Sequence, residues 1–133
     1  MTHSPLRLAR ALHQALEAGQ SGEALRPLFT DDAQIVEHPN AIKPRGATAT
    51  LAQILANSEQ GSKLLARQTY DVKDAFELGT LAVCRLTWTG VIARDLGPFR
   101  EGQVLTAQIA QFIETRDDRI RSVETFDCYE PWA

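Results

Sequence analysis

Gln103–Tyr129 reads QVLTAQIAQFIETRDDRIRSVETFDCY. Gln103–Thr115 and Arg119–Tyr129 mix β-branched, aromatic and other apolar residues with polar ones, and Asp117-Asp118 interrupts them. Two such runs on either side of a short polar break mark two strands joined by a tight turn. Aspartate suits the break because its side chain bonds readily to its own backbone there. Upstream, Arg67–Leu78 and Leu81–Ala93 carry the same strand character. They are separated by the hairpin signal Gly79-Thr80, and the loop Asp95-Leu96-Gly97-Pro98 leads onward. The C-terminal half is therefore a four-strand meander.

The N-terminal half has a different period. Ser4-Pro5 offers a capping hydroxyl followed by proline in the first turn. Leu8, Leu12 and Leu16 then form one helical face, and Gly19 ends it. A second, shorter helix fits Gly22–Phe29, with Asp31-Asp32 as a cap-and-turn pair behind it. Ala33–His38 reads as a short strand closed by Pro39-Asn40. Pro44-Arg45-Gly46 is loop, with Arg45 a surface charge. Thr48 or Thr50 caps a third helix that turns Leu51, Ile54 and Leu55 inward and ends between Asn57 and Gly61. This order predicts an α+β fold, with three N-terminal helices packed on a curved, mostly antiparallel sheet that encloses a cone-shaped pocket. Turns this short leave no room for parallel crossovers. Residues 1–133 are expected to form one domain.

Composition narrows the function classes. Hydrophobic residues make up 44% and charged residues 23%, with a formal charge of −3 and a pI near 5.6. An acidic chain with scattered Lys and Arg lacks the basic face that nucleic acid requires. No signal core or membrane-length apolar run is present, so the expected location is the cytoplasm. Cys84 and Cys128 lack CxxC spacing and read as reduced, buried thiols. His3, His13 and His38 show no ligand spacing, so no metal site is expected.

Four stretches together resemble the nuclear transport factor 2-like superfamily, and within it the SnoaL-like proteins related to polyketide cyclases and ketosteroid isomerases. They are Leu16-Glu17-Ala18-Gly19; Leu28-Phe29-Thr30-Asp31-Asp32-Ala33; Glu37-His38-Pro39 with Pro44-Arg45-Gly46; and the closing strands through Gln111-Phe112, Asp118-Arg119-Ile120 and Thr125–Pro131. The resemblance covers nearly the whole chain. It implies a cystatin-like sheet around a pocket, frequent homodimers through the sheet's outer face, and many unrelated activities. Ketosteroid isomerases use a carboxylate base, a tyrosine and a neutral aspartate. The matching positions here hold His38, Leu12 and Ala110, so that isomerase activity is not expected.

The same match, carried by strand parity, predicts the site. It turns Val36, His38, Gln108 and Phe112 inward, with Cys84, Leu86 and Trp88 from another strand and Val123, Thr125, Asp127 and Tyr129 from the last. Whether Glu37 or His38 faces the pocket is left open by the strand register. The expected catalytic pair is Asp127 as base with His38 as hydrogen-bonded partner or acid. The expected ligand-binding set is Leu12, Val36, Trp88, Gln108, Phe112 and Tyr129. The expected chemistry is cofactor-free proton transfer on a small, mostly apolar, carbonyl-bearing molecule. The alternatives are a non-catalytic ligand-binding or dimerisation module and a protein-interaction domain. Ile109, Gln111 and Ile113 would then face outward and form a homodimer interface.

Overall fold

A computed structural model describes residues 3–132. Helix α1 (Pro5–Glu17) begins where the Ser4 hydroxyl accepts the Arg7 amide at 3.2 Å. It closes in a Schellman motif: Gly19 N–H donates to the Leu16 carbonyl, Gln20 N–H to that of Ala15, and Gly19 takes φ +81°. Leu8, Ala9, Leu12 and His13 are its buried face. The second, shorter helix expected here is a 3₁₀ helix (Gly22–Leu28). Pro27 within it has no amide to extend an α ladder. Helix α2 (Leu51–Leu64) starts at a capping box between Thr50 and Gln53 and runs past Gly61, beyond its expected end.

The six strands are β1 (Phe29–Glu37), β2 (Ala47–Thr50), β3 (Leu65–Leu78), β4 (Leu81–Ile92), β5 (Val104–Arg116) and β6 (Arg119–Tyr129). They form one sheet in the order β2-β1-β6-β5-β4-β3. All neighbours are antiparallel except β1 and β6, the first and last long strands, which pair in parallel. The three helices on a mostly antiparallel sheet are as predicted. Strand β2 was not foreseen, and β1 begins at Phe29. Asp31-Asp32 therefore lies within β1 and is not a turn. Asp32 instead accepts a hydrogen bond from Arg116 at 2.6 Å, and that guanidinium lowers its carboxyl to about 2.

Asp117 and Asp118 form the expected turn, with φ of 52° and 61°. The ladder behind it then slips. Arg116 pairs with Arg119 and Thr115 with Ile120, but Glu114 pairs with Ser122, so one extra residue sits in β6. An unslipped ladder from this turn would set Gln108 opposite Asp127. The bulge sets Ile109 there. Directly paired residues share a face, so the slip turns Leu105, Ala107, Ile109, Gln111 and Ile113 to the buried concave side. The expectation that Gln108 and Phe112 face inward is thereby overturned. The inward sets of β4 and β6 are as expected. The buried core joins these residues to α1, Leu25, Phe29 and α2. No helix among the described residues is long and apolar enough to cross a membrane.

Candidate ligand pocket

The concave face and the helices enclose a cavity of about 320 Å³, at the small end of ligand sites. Its floor is apolar, with Leu12, Leu25, Phe29, Ile35, Ile54 and Val123 among the lining residues. Two cross-strand rows supply the chemistry. The first is Tyr70–Trp88–Ala107–Tyr129, running from β3 to β6. The single methyl of Ala107 leaves room for Trp88 and Tyr129 to meet edge to face at 6.2 Å. The Trp88 indole N–H donates to Gln68 Oε1 at 2.8 Å. The second row is Gln111–Thr125–Glu37, from β5 through β6 to β1.

Asp127 stands between these rows and lines the cavity. Its Oδ1 accepts the Thr125 hydroxyl at 2.5 Å. No Lys or Arg forms an ion pair with it among the described residues. Burial pushes its carboxyl above the usual range against the lowering effect of Thr125. Glu37 adds to the rise and Lys43 opposes it. Burial raises the phenols of Tyr129 and Tyr70 as well, and the Asp127 charge adds to both, so they remain O–H donors.

Glu37 settles the open register: it lines the cavity, accepts Lys43 Nζ at 3.2 Å and accepts Asn40 Nδ2 at 2.8 Å. Asn40 Oδ1 in turn accepts the Ile42 and Lys43 amides, both at 2.9 Å, an Asx turn that shapes the loop over the mouth.

Of the residues predicted for the site, Leu12, Trp88, Asp127 and Tyr129 line the cavity. His38 does not. Its Nε2 lies 2.7 Å from Glu124 Oε2, and its ring stacks on Phe126 at 4.1 Å, on the convex face. The expected Asp127–His38 hydrogen bond is therefore absent, because Glu37 pairs with inward-facing Thr125 and its successor leaves β1 on the other side. Val36, paired with Glu124, shares that convex side. Gln108 bonds Thr87 and Glu130, and Phe112 packs edge-on against Phe126, both on that side too. Cys84 is buried as expected, whereas Cys128 is exposed.

Sequence reasoning missed His13 and Tyr70 as site residues and placed Gln111 on the wrong face. His13 is buried, stacks on Tyr70 at 4.8 Å with the rings 9° apart, and bonds Gln111 Oε1 through Nε2 at 2.8 Å. Burial lowers its imidazole below the ordinary value. Its position four residues after Ala9, beside Leu12 on the buried helical stripe, was the available signal.

Residues 9–123 match the SnoaL-like domain family, and the chain belongs to that family. Solved structures of the same fold include IdmH, a candidate polyketide cyclase from Streptomyces antibioticus. It is 22% identical, with a TM-score of 0.76, over 94% of this chain and 92% of that one. A protein of ketosteroid isomerase-like fold from Catenulispora acidiphila, in complex with trimethylamine, is 23% identical with a TM-score of 0.71, covering 92% and 85%. A cystatin-fold protein from Novosphingobium aromaticivorans is 21% identical with a TM-score of 0.68, covering 92% and 97%. No curated protein matches the sequence.

Proposed function

We propose that the chain is a cofactor-independent enzyme that moves a proton on a small, mostly apolar, carbonyl-bearing molecule, with Asp127 as the base. The observation that carries this reading is a carboxylate that forms no Lys or Arg ion pair among the described residues and is lifted by burial, in a cavity with an apolar floor. A carboxyl raised in this way is a stronger base than a solvated one. Asp127 takes the proton from the carbon beside the carbonyl. The C–H electron pair forms the enolate C=C, and the carbonyl π pair moves onto oxygen. Tyr129 and Tyr70 are the phenol donors available to that oxygen. In a conjugated substrate, return of the proton from Asp127 to the far carbon of the dienolate, with the oxygen pair re-forming the carbonyl, completes an isomerisation; attack of the enolate carbon on a second carbonyl instead closes a ring, and the alkoxide formed takes the proton from Asp127. His38 and Gln108 have no part in this scheme.

The test is exchange of α-protons for deuterium in D₂O, followed by NMR over a panel of enolisable ketones and 1,3-dicarbonyls. Wild type is expected to exchange at least one panel member, and Asp127→Asn to lose about 10²-fold or more of that rate. Exchange by the Asn variant at the wild-type rate would reject Asp127 as base. Saturable binding of panel members without exchange would favour a non-catalytic binding module.

The convex face supports a homodimer, with a different residue set from the one sequence parity suggested. Ile109, Gln111 and Ile113 are buried on the concave side and unavailable. Phe112 and Phe126 are 36% and 38% exposed and touch each other at 5.9 Å, next to the His38 ring. A second copy placed on this face would remove these rings from water.

A further inference from the structure

We infer that His13, Gln111 and Thr125 form a positioning relay that donates to Asp127 Oδ1 and favours the carboxylate form of that group, with its sense set by the proton on His13 Nε2. This inference rests on the base reading above and adds three residues to it.

The Thr125 hydroxyl has one proton, and at 2.5 Å it is given to Asp127 Oδ1. Toward Gln111, then, Thr125 can only accept, and it does so from Nε2 at 3.5 Å, the loosest link. This orientation of the amide turns Gln111 Oε1 toward His13. A carbonyl oxygen only accepts, so the His13 Nε2 at 2.8 Å must carry a proton. Burial disfavours the charged ring, and in the neutral ring a proton on Nε2 leaves Nδ1 bare. Three elements supply the relay: α1, β5 and β6. His13, Gln111 and Thr125 are all buried, at 4%, 9% and 7% exposure, so water does not compete for these bonds. Every donor in the chain points toward Asp127, and donors of one sense reinforce one another. With Oδ1 held as an acceptor, a proton taken from substrate goes to Oδ2.

Other charges face the two ends. Asp127 is faced by Glu37 of β1, Lys43 of the following loop, Tyr70 of β3 and Tyr129 of its own strand. His13 is faced by Glu17 of its own helix and by Tyr70. The cleft between α1 and β3 also brings Arg10, Asp71, Lys73 and Asp74 to its outer side, with the Cys84 thiol. None of these lies in the bonded chain from His13 to Asp127.

The experiment is NMR titration of the full chain without ligand, reading the Asp127 carboxyl ¹³C and the His13 ring ¹⁵N shifts. In wild type, with Asp127 ionised, His13 is expected to show a protonated Nε2 and a bare Nδ1. Thr125→Val should raise the Asp127 midpoint by about one pH unit, since it removes a hydrogen bond to the charged form. Thr125→Ser should restore it. The double variant His13→Leu/Gln111→Leu removes both buried partners together, which protects folding, and should raise the midpoint by a smaller, measurable amount. An unchanged midpoint in the double variant, or a His13 proton on Nδ1 in wild type, overturns the relay. If a variant fails to fold, the wild-type tautomer alone decides. Loss of the base reading would appear instead as unimpaired deuterium exchange by Asp127→Asn, a result independent of the two NMR readouts on the wild-type chain.

Discussion

The Trp88 indole lies against the Cα of Gly90 on the concave face, so close that a Cβ at position 90 would meet Cη2 at 2.4 Å and Cζ2 at 2.5 Å. Gly90 is two residues along the same strand, where side chains share a face. Its missing side chain is what lets the indole lie flat and reach Gln68.

Gly90→Ala is therefore expected to push the indole toward the cavity and break its hydrogen bond to Gln68. Overpacking of this kind destabilises by about 1–3 kcal/mol. The change should appear as a lower melting temperature and an altered tryptophan emission, with Trp132 as a constant background. Wild-type stability and emission would contradict the packing described.

The raised Asp127 carboxyl has a defined consequence for stability. Because its folded value lies above the unfolded one, the folded state holds the proton more tightly. The stabilisation is complete below the ordinary aspartate range and is lost as pH rises through the folded value. Asp127→Asn cannot ionise. Its stability relative to wild type should thus rise with pH across that window and level off above it. Urea unfolding of both proteins at a series of pH values measures this, and a relative stability that falls with pH would contradict the burial of Asp127.

Gly46 has φ +67°, and a Cβ there would sit 2.5 Å from the Glu37 carbonyl oxygen. Backbone cannot yield as a flexible side chain can. Gly46→Ala is expected to cost about 1–3 kcal/mol and to displace the loop that carries Lys43 onto Glu37. Thermal unfolding measures the first effect, and the Lys43 side-chain NMR shifts report the second.

The proposed dimer makes a size prediction. Wild type should sediment at twice the 14.7 kDa chain mass. Phe112→Asp/Phe126→Asp should sediment as a monomer that keeps its circular dichroism, because both rings are partly exposed already. A monomeric wild type at micromolar concentration would reject the interface.

Much of this protein is local in origin. The Ser4 cap, the Gly19 stop, the Thr50 cap and the Asp117-Asp118 turn depend on neighbouring residues and were legible in the sequence. The family resemblance, carried by strand parity, pointed Trp88, Asp127 and Tyr129 inward, and all three line the cavity. The tertiary structure alone decided which face β5 presents and which of Glu37 and His38 looks inward. Side chains alternate with a period of two, so one extra residue in β6 exchanges Gln108 and Phe112 for Ile109 and Gln111, and composition hardly registers the change. The partnership of His13 with Gln111 spans 98 residues of sequence. Only packing of α1 across the sheet creates it, because no local preference of either residue refers to the other.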